Sequence, residues 1–392
     1  MQSAFRDWMP DMLPLLAANA LAMMAITLAL WLFAALPLAL LAHVVLALGI
    51  LPLILAAMAY FVPVLTRSDG APRSVEGLAL LAWLGGVALI GSFLVRLDAL
   101  SVALAVIGTL LAAKAAASLL VWTVLRARRS LGAPHPGLAW YVAALGFLLA
   151  ALFSVPLFWL WPEQRGVLRL IHLHVNLLGF VGLTAIGTLQ VLLPTAASRW
   201  DTHAATRLKQ DLGVACAGIG LIALGAGFGS KLAAASGALL FFVPLLKMGT
   251  RWCMSYADHL GRLHGAATAL GLSCFGLVGL LFAGLGHATG HLNGSDALVG
   301  FVPAFLLPLV SGAAMQLLPV WLRPGRQDLW HETLRTALGR YSGMHATLLV
   351  GGGLIIAFGH AQGLWLAGAG LLLLLAVVLP ALRQCSRAPA TV

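Results

Sequence analysis

Charged side chains are scarce in this chain. Asp, Glu, Lys and Arg make up only 9% of its 392 residues, and hydrophobic residues make up 61%. About a quarter of the residues are charged in an ordinary soluble domain. So few polar groups could not cover a surface in contact with water. The composition therefore excludes a water-soluble globular protein and predicts that lipid surrounds most of the chain.

Cysteines and internal carboxylates are also sparse. Cys216, Cys253, Cys274 and Cys385 form no Cys-x-x-Cys pair, which removes support for a zinc finger or a disulfide framework. All twelve acidic residues fall in predicted loops or near predicted helix ends. We therefore expect no carboxylate at mid-membrane that would couple proton or sodium movement to transport.

Long apolar runs recur from one end of the sequence to the other. A helix needs about 20 apolar residues to cross a hydrocarbon core. We therefore predict an all-α membrane protein of about twelve transmembrane helices, with no separate soluble domain. The predicted spans are 12–34, 37–62, 76–95, 100–123, 138–160, 170–193, 211–228, 232–248, 264–286, 297–320, 342–359 and 361–381.

The net charge of +11 follows this topology rather than indicating a nucleic-acid partner. The termini and the loops on their side hold 18 of the 23 Lys and Arg residues, whereas the opposite loops hold four. Positive residues accumulate on the cytoplasmic side of membrane proteins. We expect a multi-pass protein of a bacterial-type inner membrane, with both termini in the cytoplasm. The lipid bilayer is the expected partner, and the sequence leaves the oligomeric state open.

Three similar segments end with a proline that an arginine follows. They are GILPLILAAMAYFVPVLTR at 49–67, GLTAIGTLQVLLPTAASR at 182–199 and PLVSGAAMQLLPVWLR at 308–323. The prolines Pro63, Pro194 and Pro319 are 131 and 125 residues apart, a period of four helices. Ordinary helix-stop signals would give the same pattern without a repeat. As a repeat, it predicts three pseudo-symmetric four-helix units, at approximately 1–130, 131–250 and 251–392.

Two histidines occupy the same position in two of these units. His43 lies 20 residues before Pro63, and His174 lies 20 residues before Pro194, so both are expected at one depth near the outer ends of spans 2 and 6. Val299 takes the matching position in the third unit. Histidines inside a membrane mark functional sites, although a hydrogen bond to a neighbouring helix would also account for them. Two imidazoles at equal depth suit the two axial positions of a haem iron.

The sixth predicted span carries a His-x-His pair in the sequence HLHVNLLGFVGLTAIGTLQVLLP, residues 172–194. With its glycine-rich middle and its proline, this span resembles the haem-ligand helix of subunit I of haem–copper oxidases. That family is also built as three pseudo-symmetric four-helix units. The resemblance implies that His174 and His43 are axial ligands of a low-spin, b-type haem, and that His172 faces a second haem or a metal. It also implies a cytochrome or a quinol as electron donor.

The chain departs from those oxidases in several ways. Its His-x-His helix is the sixth rather than the tenth, and the His-His pair and His-x3-Tyr link of the oxidase copper site do not occur. Oxygen reduction coupled to proton pumping is therefore not expected. In size and span count the chain is similar to a short, divergent relative, comparable to the NnrS-type haem- and copper-containing membrane proteins associated with nitric oxide stress.

Four other histidines are candidates for a second site. His287 and His291 have i, i+4 spacing and could complete an outer copper site with His172, because imidazole suits copper. A solvated loop is the alternative for both. His264 and His345 are predicted at similar depth near the cytoplasmic ends of spans 9 and 11. They could hold a second metal or lie exposed at the interface.

Lys114 is the one charge near the centre of a predicted span. It is expected either to face a cavity, a polar partner or a haem propionate, or to extend its stem toward an interface.

Three functions are compatible with these patterns. The favoured one is a haem-binding or haem–copper membrane protein for redox or diatomic-gas (O2 or NO) chemistry or sensing. As an enzyme it would be an oxidoreductase without proton pumping. The alternatives are a twelve-helix solute or metal transporter and a cofactor-free assembly subunit.

The predicted topology can be tested with reporter fusions. We expect a fluorescent protein fused after residue 199 to fluoresce, because the loop that follows span 6 is predicted to lie in the cytoplasm. We expect alkaline phosphatase fused after residue 164 to be active, because the loop that precedes span 6 is predicted to lie outside the cytoplasm. The control is the pair of fusions in which the two reporter proteins are exchanged between these sites. The opposite pattern of activities would contradict the prediction.

Overall fold

The chain folds into a bundle of helices. A computed structural model describes residues 8–34, 36–95, 97–130 and 132–387, and no strand occurs among them. The termini that the sequence predicts to be cytoplasmic, 1–7 and 388–392, lie outside the described residues, as do Ala35, Arg96 and Leu131. The described helices are α1 (Trp8–Phe33), α2 (Leu38–Thr66), α3 (Arg73–Leu94), α4 (Asp98–Arg128), α5 (Gly137–Leu160), α6 (Pro162–Ala196), α7 (Ala204–Gly227), α8 (Lys231–Leu260), α9 (Ala266–Ala288), α10 (Gly294–Leu322), α11 (Leu329–Leu338), α12 (Ser342–Ala357) and α13 (Gly363–Arg387).

Eleven of the described helices, α1 to α10 and α13, are long and apolar enough to cross a membrane. The helix α12, predicted as a span over 342–359, has 16 residues. Its length is about 24 Å, less than the thickness of a hydrocarbon core. It packs between α9 and α13 and completes the bundle. The prediction of an all-α membrane protein with about twelve membrane helices is confirmed.

Three helices contain a wide, π-helical segment. The segments are Val44–Ile50 in α2, Val175–Gly182 in α6 and Val302–Leu306 in α10. They begin 131 and 127 residues apart, close to the spacing of the prolines that lie near the ends of the same helices. The backbone therefore repeats at nearly the same interval as the sequence.

These segments change how the third unit aligns with the other two. The residue just before each segment is His43, His174 and Phe301, respectively. When the three units are aligned on their terminal prolines alone, Val299 rather than Phe301 matches the two histidines. The difference arises because the π-helical segment of α10 has five residues, whereas those of α2 and α6 have seven and eight.

Pro52 accounts for the π-helical segment of α2. Pro52 has no N–H to donate to the carbonyl of Leu48, four residues earlier. That carbonyl accepts a hydrogen bond from Nδ2 of Asn19 in α1, at 2.8 Å. In lipid an unpaired carbonyl would be costly because no water can replace the lost partner. The Asn19 side chain therefore stabilises the π-helical segment that follows His43.

Pairs of glycines join the last two helices of each unit. A Cβ atom added to either glycine of a pair would lie under 3.0 Å from the carbonyl oxygen of the other, so the two backbones are in direct contact. Small residues allow this close approach between membrane helices. The pairs are Gly85–Gly108 between α3 and α4, Gly218–Gly237 between α7 and α8, and Gly352–Gly363 between α12 and α13.

Gly218→Ala should destabilise the bundle. The new Cβ would lie 2.6 Å from the main-chain nitrogen of Phe241, and overpacking of this kind costs about 1–3 kcal/mol. We expect a lower midpoint of thermal unfolding in detergent, measured by tryptophan fluorescence. Gly220→Ala is the matched control on the same helix, because nothing lies within 4 Å of its added Cβ. Equal melting of the two variants would contradict the close contact.

Candidate cofactor site

A large cavity lies between the first and second four-helix units. Its volume is about 890 Å³, and its walls come from α2, α3 and α4 on one side and from α5 and α6 on the other. Binding sites for organic ligands have volumes of about 300–1,000 Å³. The cavity is therefore large enough for an organic cofactor.

Two imidazole rings line this cavity from opposite walls. The ring centres of His43 in α2 and His172 in α6 are 6.4 Å apart, and the ring planes are inclined by 32°. Phe93 packs against the His43 ring with centres 5.2 Å apart, and Phe158 packs edge-on against the His172 ring at 5.9 Å. These phenyl rings restrict how far each imidazole can turn.

Main-chain carbonyls bind one nitrogen of each ring. Nδ1 of His43 lies 2.6 Å from the carbonyl oxygen of Ala39, and Nδ1 of His172 lies 2.9 Å from that of Ala151. Because a carbonyl oxygen only accepts, Nδ1 carries the proton and donates it in both rings. Nε2 then keeps its lone pair and is free to bind a metal. Metal-binding histidines usually have this arrangement.

The separation of the two rings suits a single metal ion. A metal–imidazole bond is about 2.0 Å long, and each ring centre lies about 1 Å behind its nitrogen, which together would place the ring centres about 6 Å apart. The observed 6.4 Å is close to that value. The distance between the ring centres is therefore compatible with both imidazoles binding one metal ion.

The mouth of the cavity is positively charged. Arg165 and Arg169, both exposed, line it from the first turns of α6, and no described Asp or Glu is among the lining residues. With His172 they occupy positions i, i+4 and i+7, which share one face of a helix. These arginines were not among the site residues predicted from the sequence, although their spacing from His172 can be read there. The mouth favours an anionic ligand.

The polar side chains of the wall are already engaged. Ser92, Ser101, Thr109 and Asn176 each donate a hydrogen bond to a main-chain carbonyl. Most of the remaining lining side chains are aliphatic or aromatic. Away from the arginines and imidazoles, the cavity therefore suits an apolar ligand surface.

His174 lies on a different side of α6 from His172. Residues two apart in an α-helix point about 200° apart, so the two rings cannot both face His43. Nδ1 of His174 donates to the carbonyl of Leu170 at 2.8 Å, and His174 is not among the residues that line the cavity. The structure therefore places His172 opposite His43, where the sequence analysis expected His174. Equal depth along two helices does not specify the direction around either helix.

The copper ligands expected from the sequence are not brought together. His287 and His291 are exposed near the end of α9, where their Nδ1 atoms bond to Leu292 and Thr289, while His172 faces the cavity. Within the part of the chain that the structure describes, no group of three or more His, Cys, Asp or Glu residues could hold a metal ion.

The remaining candidates, His264, His345 and Lys114, do not line the cavity. His264 is exposed, and its Nδ1 accepts a hydrogen bond from the main-chain nitrogen of Tyr341 at 2.9 Å. The side chain of His345 is fully buried, and neither ring nitrogen has a hydrogen-bond partner among the described residues. Lys114 is exposed and does not line the cavity, so it is not placed to meet a ligand there.

The boundary between the third and first units is nearly filled. Phe301, which takes the position of His43 in the third unit, lines a void of about 10 Å³ with Trp31 and Val45. An apolar ring thus replaces an imidazole, and little space remains. The large cavity and the imidazole pair occur together at the boundary between the first and second units.

Comparisons with known proteins do not assign this chain to a family. No protein-family model matches the chain, and no curated protein matches it significantly. The cavity and its side chains are therefore the evidence on function.

Proposed function

We propose that the protein binds a haem in the cavity, with His43 and His172 as its axial ligands. The observation that carries this proposal is the imidazole pair, 6.4 Å apart across the cavity, with both Nδ1 atoms bound to main-chain carbonyls. A bound haem would supply one-electron redox chemistry. A b-type haem suits the site because no cysteine among the described lining residues could attach the haem covalently.

The remaining side chains of the site match the other parts of a haem. Arg165 and Arg169 would pair with its two carboxylates at the mouth, since guanidinium groups form strong, charge-assisted hydrogen bonds with carboxylates. The aliphatic and aromatic walls would cover the apolar ring system and exclude water. The two phenylalanines that pack on the imidazoles would hold the ligands in place.

Two protein ligands on one iron favour some roles over others. If both imidazoles were bound to the iron, a gas would bind it only after one histidine had moved away. Electron transfer or redox sensing is therefore favoured over direct O2 or NO chemistry, with a cytochrome or a quinol as donor. The proposal includes no copper centre. If both termini are cytoplasmic in a bacterial-type inner membrane, the site lies in the outer half of that membrane.

The other two functions leave the imidazole pair without a role. A solute transporter would need polar groups that bind its substrate near the middle of the membrane, whereas Ser92, Ser101, Thr109 and Asn176 of the wall donate to main-chain carbonyls. A cofactor-free subunit would have no use for a cavity of about 890 Å³.

Substitution of the two ligands should remove the spectrum of a low-spin haem. We expect the purified protein to show a Soret band. We expect His43→Ala or His172→Ala to lower the haem retained at least about tenfold, because even the loss of a group that only supports a metal ligand costs 10–100-fold. The measurements are absorption spectra and a pyridine haemochrome assay. Free imidazole should restore the low-spin spectrum to His172→Gly.

His174→Ala is the matched control on the same helix. It removes an imidazole that faces away from His43, so the spectrum should stay unchanged. Loss of the spectrum in His174→Ala but not in His172→Ala would favour the pairing expected from the sequence. A purified protein without haem, produced in cells supplied with haem precursors, would contradict the proposal as a whole.

The two arginines should contribute to haem affinity through their charge. Exposed ion pairs contribute about 0.2–1 kcal/mol each, so Arg165→Gln with Arg169→Gln should weaken haem binding modestly, by less than either histidine substitution. Titration of the haem-depleted protein would measure this change. Lys231→Gln removes an exposed charge at the start of α8, outside the cavity, and should have no effect. If Lys231→Gln weakened haem binding as much as the double arginine substitution, the pairing of the arginines with the haem carboxylates would be contradicted.

A further inference from the structure

Lys114 is an exposed charge at the middle of a membrane helix. The helix α4 runs over Asp98–Arg128 and has 31 residues, so Lys114 lies at its centre. The side chain is exposed, and no ion pair among the described residues includes it. Intramembrane charges normally face a bundle interior or a water-filled cavity. This lysine does neither.

The surface around Lys114 is apolar. Ile107, Leu110 and Val121 are 48%, 62% and 57% exposed. Their spacing from Lys114 is seven, four and seven residues, so all four side chains share one face of α4. The lysine is thus the single charge in a stripe that would otherwise suit lipid.

The side chain of Lys114 is short compared with its distance from both ends of α4. Lys114 lies 16 residues from Asp98 and 12 residues from Arg126, or about 24 Å and 18 Å along the helix. A lysine stem extends only about 6 Å, which is less than half of the distance from the bilayer centre to the headgroups. Anionic headgroups therefore do not neutralise this charge, and extension toward an interface does not explain it.

A second copy of this chain does not supply the missing counter-charge. No described carboxylate is exposed at the middle of a span. Asp211, which lies within α7, is 1% exposed and is bonded to Lys247 at 2.7 Å. A twofold contact through α4 would also bring two Lys114 side chains together, because such a contact uses the same patch on both copies.

We propose that α4 docks a transmembrane helix of a different membrane protein, and that this helix carries an Asp or Glu at mid-span which pairs with Lys114. The apolar stripe of Ile107, Leu110 and Val121 would pack against that helix. An ion pair in hydrocarbon replaces an isolated charge, and polar contacts between membrane helices stabilise their association. This inference does not depend on haem binding.

Site-specific photo-crosslinking in membranes of the source cells tests the proposal. A photoreactive phenylalanine analogue at Leu110 or Val121 should crosslink to one other protein, and mass spectrometry should place the crosslink in a transmembrane helix with an Asp or Glu. The analogue at Phe153 is the matched control, because this side chain is 73% exposed on α5, away from the stripe. It should give no such product.

The charge itself is tested by two substitutions. Lys114→Met should lower the crosslinking yield at least about tenfold, since it leaves the partner's carboxylate unpaired in the membrane. Lys114→Glu together with a lysine at the partner's acidic position should restore it. The melting temperature of Lys114→Met alone should equal that of the unaltered protein, which separates lost docking from misfolding. Absence of a crosslink, crosslinks only between copies of this chain, or a yield unaffected by Lys114→Met would overturn the proposal.

Discussion

The absence of water around the helices is the constraint on which this structure depends. In lipid every main-chain N–H and C=O group needs a partner within the protein. Where Pro52 interrupts the ladder of α2, the Asn19 side chain takes over the free carbonyl. The same rule applies to imidazole N–H groups. His43 and His174 both donate to the carbonyl four residues earlier in their own helix.

His172 differs from the other two histidines in its partner. Its Nδ1 donates across to the carbonyl of Ala151 in α5, where the hydroxyl of Ser154 also approaches it at 3.3 Å. A contact between helices thus sets the direction of this ring. The direction is what places His172 opposite His43 and gives the cavity two imidazole side chains instead of one.

The helix α4 connects the two proposals. Its inner face, with Ala105 and Thr109, forms part of the cavity wall, and its outer face carries Lys114. A helix with its side chains is about 10 Å across, so a partner on the outer face would lie close to the cavity. The direct contact of Gly85 with Gly108 holds α4 against α3 and keeps this wall in place.

The sequence by itself determined the all-α membrane fold, since composition and the length of the apolar runs depend on the solvent rather than on packing. It also predicted the interval of the repeat, because spacing along the chain follows directly from residue number. Tertiary structure decided which side chains meet. The direction of His172, the position of Arg165 and Arg169 at a cavity mouth, and the exposure of Lys114 all depend on how helices are rotated against their neighbours. Residue number gives the position of a side chain along its helix axis. It does not tell which face of that helix a neighbouring helix covers.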